Sequence, residues 1–300
     1  MASTVLGELQ SVVQDVGRRI GPSVVTVGRA GCGVVIGKDR VATNAHNIRA
    51  EEVSVGFAGG RGAVATVAAL DADADLAVLT VDTGDAPAVE WDEGSVELGA
   101  VVLAVARSAG GETRVTFGSV SGVDRAFRGP RGRRIAGSVE HTAPLARGSS
   151  GSPLVGPSGR VVAINTHRLG EGFYLGLPAD ESLRDRLAAL SRGEAPARVR
   201  LGVAIAPPHV ARRLRAAVGL EPRDGLLVRA VEDGGPAERA GVRAGDLIVA
   251  IAPGGGGEET VLSTPDELHD ALDAAGPGAS VQLRILRGGD ETSVVVGLGG

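Results

Sequence analysis

A strand-built barrel or sandwich followed by a smaller mixed α/β domain is the fold the sequence predicts, on three observations. Between about residue 21 and Pro178 the chain is a succession of short Val-, Ile- and Ala-rich runs separated by Gly- and Asp-containing turns, the pattern of an all-β barrel or sandwich. Glycine supplies 47 of 300 residues without a Gly-X-Y period, about twice the usual share, which suits tight strand corners and excludes collagen. Ser191–Ala197, with Gly193 and Pro196, then breaks the pattern as a linker, and from Val199 onward strands mix with two helices. A chain of 300 residues accommodates two domains.

The elements follow in order. Val5, Leu9, Val12, Val13, Val16 and Ile20 recur at three-to-four spacing, an amphipathic helix stopped by Gly21-Pro22. Strands are expected at Val24–Val27, Gly33–Ile36, Ala63–Ala69, Leu76–Val81, Ala100–Ala106, Val115–Val120 and Val161–Asn165. Asp180–Leu190 sets Leu183, Leu187 and Leu190 on one helical face. Beyond the linker, Pro208–Val218 and Pro265–Ala274 read as helices, and Gly254–Gly257 as a flexible hairpin tip.

Composition narrows the function. Hydrophobic residues at 43%, charged residues at 22% and a net charge of −5 describe a chain able to build a core, not a disordered acidic one. Aromatics at 2% leave no base-stacking platform, and the region from Val199 carries 10 Arg against 14 Asp plus Glu, so no nucleic-acid partner is expected. Cys32 is the single cysteine, which excludes an internal disulfide and multi-cysteine zinc sites. No apolar run approaches the ~18 residues of a membrane span. Met1–Gly7 has neither the basic start nor the apolar stretch of a secretory leader. The expected location is cytoplasmic for a complete chain, and periplasmic or extracellular if a leader was removed.

Three segments carry chemistry: Thr43-Asn44-Ala45-His46, Asp71-Ala72-Asp73-Ala74-Asp75-Leu76-Ala77-Val78 and Arg147-Gly148-Ser149-Ser150-Gly151-Ser152-Pro153-Leu154. Each alone has an ordinary explanation: a histidine after a strand, a solvated acidic turn, a Gly-Ser loop. Together they give His, then Asp, then Ser, the chain order of chymotrypsin-type triads. A serine hydroxyl needs an imidazole to take its proton, and a carboxylate to hold that imidazole in one tautomer. Glycine beside the serine lets main-chain N–H groups approach a developing oxyanion. Gly148–Ser152 is not the Gly-x-Ser-x-Gly elbow of α/β-hydrolases, because Ser occupies 152 and His46 precedes the serine. Gly31-Cys32-Gly33 lacks the spacing and the following helix of a dinucleotide fingerprint. His141, His167, His209 and His269 have no such context; they read as structural or exposed, too scattered for a metal site.

On these residues the chain resembles the HtrA/DegP family of trypsin-like serine proteases with a C-terminal PDZ domain, over nearly its whole length. Gly21-Pro22-Ser23-Val24-Val25 and Gly33-Val34-Val35-Ile36 resemble the family's first strands, Thr43-Asn44-Ala45-His46 its histidine motif and Asp75-Leu76-Ala77-Val78-Leu79 its aspartate motif. Gly148-Ser149-Ser150-Gly151-Ser152-Pro153-Leu154 resembles Gly-Asn-Ser-Gly-Gly-Pro-Leu. Gly159–Thr166 and Gly172–Pro178 resemble the strands flanking the substrate cleft. The resemblance implies a mainly β chain: a chymotrypsin-like double β-barrel protease domain at 1–190, a linker at 191–198 and one α+β PDZ domain at 199–300.

It implies His46 as general base, Asp75 as its orienting carboxylate, Ser150 as nucleophile and the amides of Gly148 and Ser150 as oxyanion donors, with no cofactor and no metal. The specificity pocket falls at Pro144, Leu145 and Ala146, with Ile164, Asn165 and Thr166 as a wall. No carboxylate stands there, so medium-sized aliphatic side chains are expected rather than Lys or Arg; Arg147, at the border, reads as solvated. Three departures stand out. Ser149 replaces Asn, Asn47 follows His46 where the family usually has an aliphatic residue, and Ser152 replaces a glycine, crowding the loop if its backbone needs φ > 0. Arg125–Arg134, the one concentrated basic stretch, reads as a solvent-facing loop, by position similar to the family's activation-sensing loop, with a polyanion site as a weaker option.

In the C-terminal third, Arg200-Leu201-Gly202-Val203 resembles a PDZ carboxylate-binding loop, Val203-Ala204-Ile205 a strand that accepts a peptide, and Leu268 and Leu272 a groove wall (or plain core). Gly225–Val228 and Gly235–Asp246 resemble the domain's central strand and helix-turn segment. The implied function is a serine endopeptidase of protein quality control and stress response, acting on unfolded or damaged proteins, with peptide C-termini captured at the PDZ groove. A catalytically idle or latent peptide-binding or holdase protein on the same fold is the alternative. The family commonly forms homotrimers through N-terminal aromatic contacts; the helix before Pro22 has no aromatic residue, so a homotrimer rests on the resemblance alone.

Overall fold

The computed structural model describes residues 2–129, 134–170, 172–196, 199–221 and 223–299. It divides into two compact units, Met1–Ala195 and Pro196–Gly300. Ala197 and Arg198 of the expected linker, and Pro130–Arg133 of the basic stretch, lie outside the described residues.

In the first unit β1 (Val24–Val27), β2 (Gly31–Gly37), β3 (Arg40–Thr43), β4 (Glu52–Gly56), β5 (Gly62–Asp71) and β6 (Leu76–Thr80) close into a barrel in the order β1-β2-β3-β6-β5-β4. A second barrel is formed by β7 (Val101–Arg107), β8 (Thr113–Arg128), β9 (Arg134–His141), β10 (Pro153–Val155), β11 (Val161–Gly170) and β12 (Phe173–Pro178), in the order β10-β11-β12-β9-β8-β7. Closure removes the unpaired edges that an open sheet of such strands would expose. The two-barrel architecture implied by the resemblance is therefore present.

Each barrel has its own filling, Val25, Val35 and Leu79 in the first and Val102, Leu154 and Ala163 in the second. A larger cluster joins side chains of both barrels, including Val34, Leu103, Ile164 and Leu175. Two helices seal it. Among the residues of α1 (Ala2–Ile20) whose side chains are described, only Val16 and Ile20 are buried, whereas Val5 and Leu6 are 63% and 67% exposed. The apolar stripe read from the sequence thus runs beyond the surface the unit offers it. From α2 (Glu181–Ser191) Leu183, Leu187 and Leu190 are buried, and the Asp180 carboxylate caps the helix by accepting the Leu183 N–H at 2.8 Å. Three buried leucines, each worth about 1.5–3 kcal/mol, outweigh a cap worth about 1 kcal/mol. Ser191, expected in the linker, closes this helix.

Arg107 at the end of β7 is 5% exposed and donates to the carbonyls of Val24, Gly21 and Gly111 at 2.7, 2.6 and 2.5 Å. A buried guanidinium held by carbonyl dipoles alone ties the exit of α1 to the second barrel; burial lowers its pKa.

Two sequence expectations need correction. Arg125–Arg128 and Arg134 do not lie in a loop. They are the paired ends of β8 and β9, in register Phe127↔Ile135 and Arg128↔Arg134, because Phe127 and Ile135 alternate inward and reach the core. Five strands, β3, β4, β9, β10 and β12, also go beyond the apolar runs. Strand β4 buries only Val53 and Val55, between exposed Glu52 and Ser54, and β9 buries the polar Ser138, Glu140 and His141.

The second unit is an α+β sheet in the order β13-β14-β15-β17-β18, with β16 beside β15. Its strands are β13 (Val203–Ile205), β14 (Leu226–Val231), β15 (Leu247–Pro253), β16 (Thr260–Val261), β17 (Ser280–Arg287) and β18 (Asp290–Gly297). Helices α3 (Pro208–Ala217), α4 (Pro236–Arg239) and α5 (Pro265–Ala275) accompany it. A capping box starts α5: Thr264 accepts the Glu267 N–H and the Glu267 carboxylate accepts the Thr264 N–H. Among the described residues no helix is long and apolar enough to cross a membrane.

Candidate active site

The histidine side of the site grows out of β3. Thr43 ends the strand and donates its hydroxyl to the Cys32 carbonyl at 2.6 Å; Asn44 is extended, and the short turn Ala45–Asn47 carries His46. Asp75 stands in the β5–β6 turn with φ +55°, in the left-handed region that Asp visits more readily than most residues. The Asn44 side chain donates to the Asp75 carbonyl at 3.0 Å and so holds that turn.

The Asp75 carboxylate is 1% exposed and meets three donors. They are His46 Nδ1 at 2.8 and 3.0 Å, the His46 main-chain N–H at 3.0 Å, and the Thr166 hydroxyl at 2.6 Å. A buried carboxylate needs such donors. Because Asp75 only accepts, the proton of a neutral His46 sits on Nδ1 and the lone pair on Nε2, the form a general base requires.

The serine side is the loop from β9 to β10. Gly148 and Gly151 both have positive φ, +87° and +90°, and a Cβ at 151 would lie 2.1 Å from the Cys32 carbonyl oxygen, so this close approach admits glycine only. The Ser150 carbonyl accepts from Cys32 N at 2.8 Å and from Asn47 Nδ2 at 2.9 Å, and Gly151 N–H donates to the Asn165 carbonyl at 2.7 Å. Ser150 and the turn that bears His46 are thereby pinned together. The Ser150 hydroxyl itself donates to the Thr166 carbonyl at 3.0 Å, with no hydrogen bond to His46. The amides of Gly148 and Ser150 meet no acceptor among the described residues.

Ser152 does not crowd the loop. Its φ is not positive, and its buried hydroxyl accepts from Asn165 Nδ2 at 3.0 Å. Asn165 Oδ1 in turn pairs with His141 Nε2 at 2.9 Å, and the His141 ring stacks on Tyr174 with centroids 5.7 Å apart. Burial pushes the His141 pKa down to about 4, against a smaller upward pull from Asn165. Its Nδ1 has no partner.

A cavity of about 330 Å³ opens beside Ser150. Leu145, Ala146, Asn165 and Thr166 line it as expected positions; Pro144 and Ile164 do not. Ile164 is fully buried in the core because successive residues of β11 face opposite ways. The exposed Pro144 contributes only a carbonyl, which accepts the Thr116 hydroxyl at 2.7 Å. Arg147, His167, Arg168 and Tyr174 also line it; His167 was expected to be structural or exposed, Tyr174 fell in the segment expected to flank the cleft, and Arg168 was not singled out by the sequence. Among the described residues no cluster of three His, Cys, Asp or Glu side chains has the spacing to hold a metal.

In the second unit β13 is the edge strand, with Val203 and Ile205 half-buried and Ala204 exposed. The Leu201 and Gly202 amides meet no acceptor among the described residues, and their carbonyls accept from Ala237 and Glu232 at 2.9 and 2.8 Å. Leu268 and Leu272 do not form an open wall: at 2% and 3% exposure they are core side chains, turned inward by the face of α5 that packs on the sheet.

Two closed barrels presenting a carboxylate-held histidine beside a serine on a glycine turn define the chymotrypsin-like class, here joined to a PDZ-type unit. A family model described as a trypsin-like peptidase domain matches residues 31–164, and a PDZ domain model matches residues 227–287. A probable periplasmic serine endoprotease, DegP-like, of Halomonas elongata is 30% identical over 277 residues, 90% of this chain and 56% of the relative. The serine protease Do-like HtrA of Bacillus subtilis is 29% identical over 287 residues, 89% of this chain and 62% of the relative. The crystal structure of the serine endoprotease from Yersinia pestis superimposes with a TM-score of 0.61 at 25% identity, covering 96% of this chain and 97% of that one. The chain spans roughly three-fifths of the length of these curated relatives. It belongs to the HtrA/DegP family of trypsin-like serine proteases with a C-terminal PDZ domain.

Proposed function

We propose that the chain is a serine endopeptidase of protein quality control that cleaves unfolded or damaged proteins. The observation that carries this reading is the buried Asp75 carboxylate gripping His46 at Nδ1 and at its main-chain N–H, on a turn that Asn47 ties to the Ser150 carbonyl. His46 Nε2 takes the Ser150 proton as Oγ attacks the scissile carbonyl, and Asp75 stabilises the imidazolium without being protonated. The unfilled amides of Gly148 and Ser150 receive the oxyanion. His46 then returns the proton to the leaving amine, and water repeats the sequence on the acyl-enzyme. The PDZ unit captures peptide C-termini, with the Leu201–Gly202 amides for the carboxylate and Val203–Ile205 as the strand that pairs with the peptide. Casein hydrolysis by the native chain, falling on the order of a million-fold in Ser150→Ala, is the expected result. Equal, negligible hydrolysis by both, together with no fluorophosphonate label on Ser150, would leave a binding role alone.

One observation favours a second reading, a latent enzyme. The Ser150 hydroxyl spends its proton on the Thr166 carbonyl instead of on His46, and uncomplexed serine hydrolases often tighten this bond only with substrate. In a latent enzyme, hydrophobic C-terminal peptides that occupy the PDZ unit raise the rate at which fluorophosphonate labels Ser150. In a constitutive one they leave it unchanged.

A further inference from the structure

The cavity beside Ser150 has a charge character that the absence of a carboxylate only half describes. Two guanidinium groups, Arg147 and Arg168, line it, and no Asp or Glu does. Neither forms an ion pair with any described carboxylate, whereas Arg125, Arg160, Arg186 and Arg192 of the same unit each have one within 4 Å. Arg168 is not free to wander. Its Nη2 donates to the Leu145 carbonyl at 2.8 Å, and its guanidinium carbon lies 5.2 Å from the centroid of the Tyr174 ring. That ring is 7% exposed and is held from behind by the stack with His141. One of the five guanidinium N–H groups is thus used as an anchor and the others remain for a ligand. His167 is fixed likewise, by a stack on Phe127 with centroids 5.4 Å apart. A carboxylate entering this cavity meets an ordered planar donor of opposite charge, the geometry that favours charge-assisted bonds. A lysine meets two like charges, and an aliphatic side chain strips water from both guanidiniums without replacing its hydrogen bonds.

We propose that this cavity selects an acidic side chain, Glu or Asp, in the substrate residue on the acyl side of the scissile bond, with Arg168 as the specificity-determining residue. This rests on the endopeptidase reading above and deepens it. Because Arg168 is solvent-exposed, the preference is at the low end for a charged hydrogen bond, about tenfold in kcat/KM for Glu over its isostere Gln.

The test uses the full chain and four amidated peptides, blocked so that no free C-terminus engages the PDZ unit, differing only in Glu, Gln, Val or Lys at that residue. Glu is expected to be cleaved about tenfold faster than Gln, with Lys slowest, and the Glu advantage should shrink in 0.5 M salt. Arg168→Gln should bring Glu and Gln within about twofold. Arg168→Glu should place Lys ahead of Glu, a reversal that no loss of folding produces. Val cleaved best, with a profile unchanged in both variants, would overturn the assignment while leaving the endopeptidase intact. Binding of the same labelled peptides to Ser150→Ala, read by fluorescence anisotropy, separates the two claims. A Glu-over-Gln preference there without turnover by the native chain upholds the pocket and removes the hydrolase. Equal binding of Glu and Gln overturns the pocket.

Discussion

The two halves of the site differ in how far each is completed by the protein itself. On the first-barrel side the Asp75 carboxylate has three donors, one of them Thr166 from the second barrel, and His46 is held at ring and main chain. On the second-barrel side the loop main chain is equally well anchored, through the Ser150 and Asn165 carbonyls, but the reactive groups are not. The hydroxyl leans on Thr166 and the Gly148 and Ser150 amides are unfilled. The orienting half is finished before substrate arrives; the reacting half is finished by substrate. This division is physically sensible, because a tautomer must be set in advance whereas oxyanion donors gain most when their acceptor appears only as charge develops.

The comparison breaks first at Asp75. Asp75→Asn keeps size and the left-handed turn but can present an N–H to His46 Nδ1, selecting the wrong tautomer. A fall in kcat of about 10⁴ is expected, with far-UV circular dichroism unchanged. A loss under tenfold would mean that Asp75 does not set the tautomer and that the two halves are not divided as described.

The next largest effect lies behind the serine half. His141 is buried as the neutral imidazole, with its pKa lowered to about 4. Unfolded, it binds a proton near its usual 6.5. Between those values the unfolded chain holds the proton and the folded one does not, so stability declines as pH falls from about 6.5 to about 4, by up to about 3 kcal/mol, and levels off below. Urea unfolding at pH 7 and 4.5 measures the decline. His141→Gln, which can still donate to Asn165 but does not titrate, should flatten it. An equal slope in both proteins would assign the acid sensitivity elsewhere.

How much of this was legible in the sequence follows the same division. Strands filled with aliphatic residues, such as Val24–Val27 and Leu76–Thr80, announce themselves. Strand β9 does not, because it buries the polar Ser138, Glu140 and His141, the last two finding their partners, Ser121 and Asn165, on other strands, a pattern no apolar run reports. At the site, the order His46, Asp75, Ser150 was readable from motifs, but the direction of a hydroxyl is a rotamer, and rotamers are set by neighbours such as Thr166 that stand 16 residues away. Ser152 and Asn47 were visible as departures. Only the fold shows that the first joins Asn165 and that the second reaches Ser150 from 103 residues away.

Asn47 therefore offers the smallest and most discriminating test. Its carboxamide donates to the Ser150 carbonyl at 2.9 Å and to the Thr43 hydroxyl at 3.0 Å, so it is a positioning residue that couples the two halves without touching substrate. One net hydrogen bond is worth about 0.5–1.5 kcal/mol, so Asn47→Val should lower kcat about threefold to tenfold with KM nearly constant. Asn47→Asp, which turns an acceptor toward the Ser150 carbonyl, should cost more than Val although it is the closer isostere. Gly31→Ala supplies an independent route, since its Cβ would lie 2.5 Å from the Asn47 side-chain carbon and must displace the carboxamide; its kinetics should match those of Asn47→Ala. A role in packing alone predicts the opposite pattern: melting temperatures that fall in every variant, kcat that stays level, and Asp tolerated better than Val.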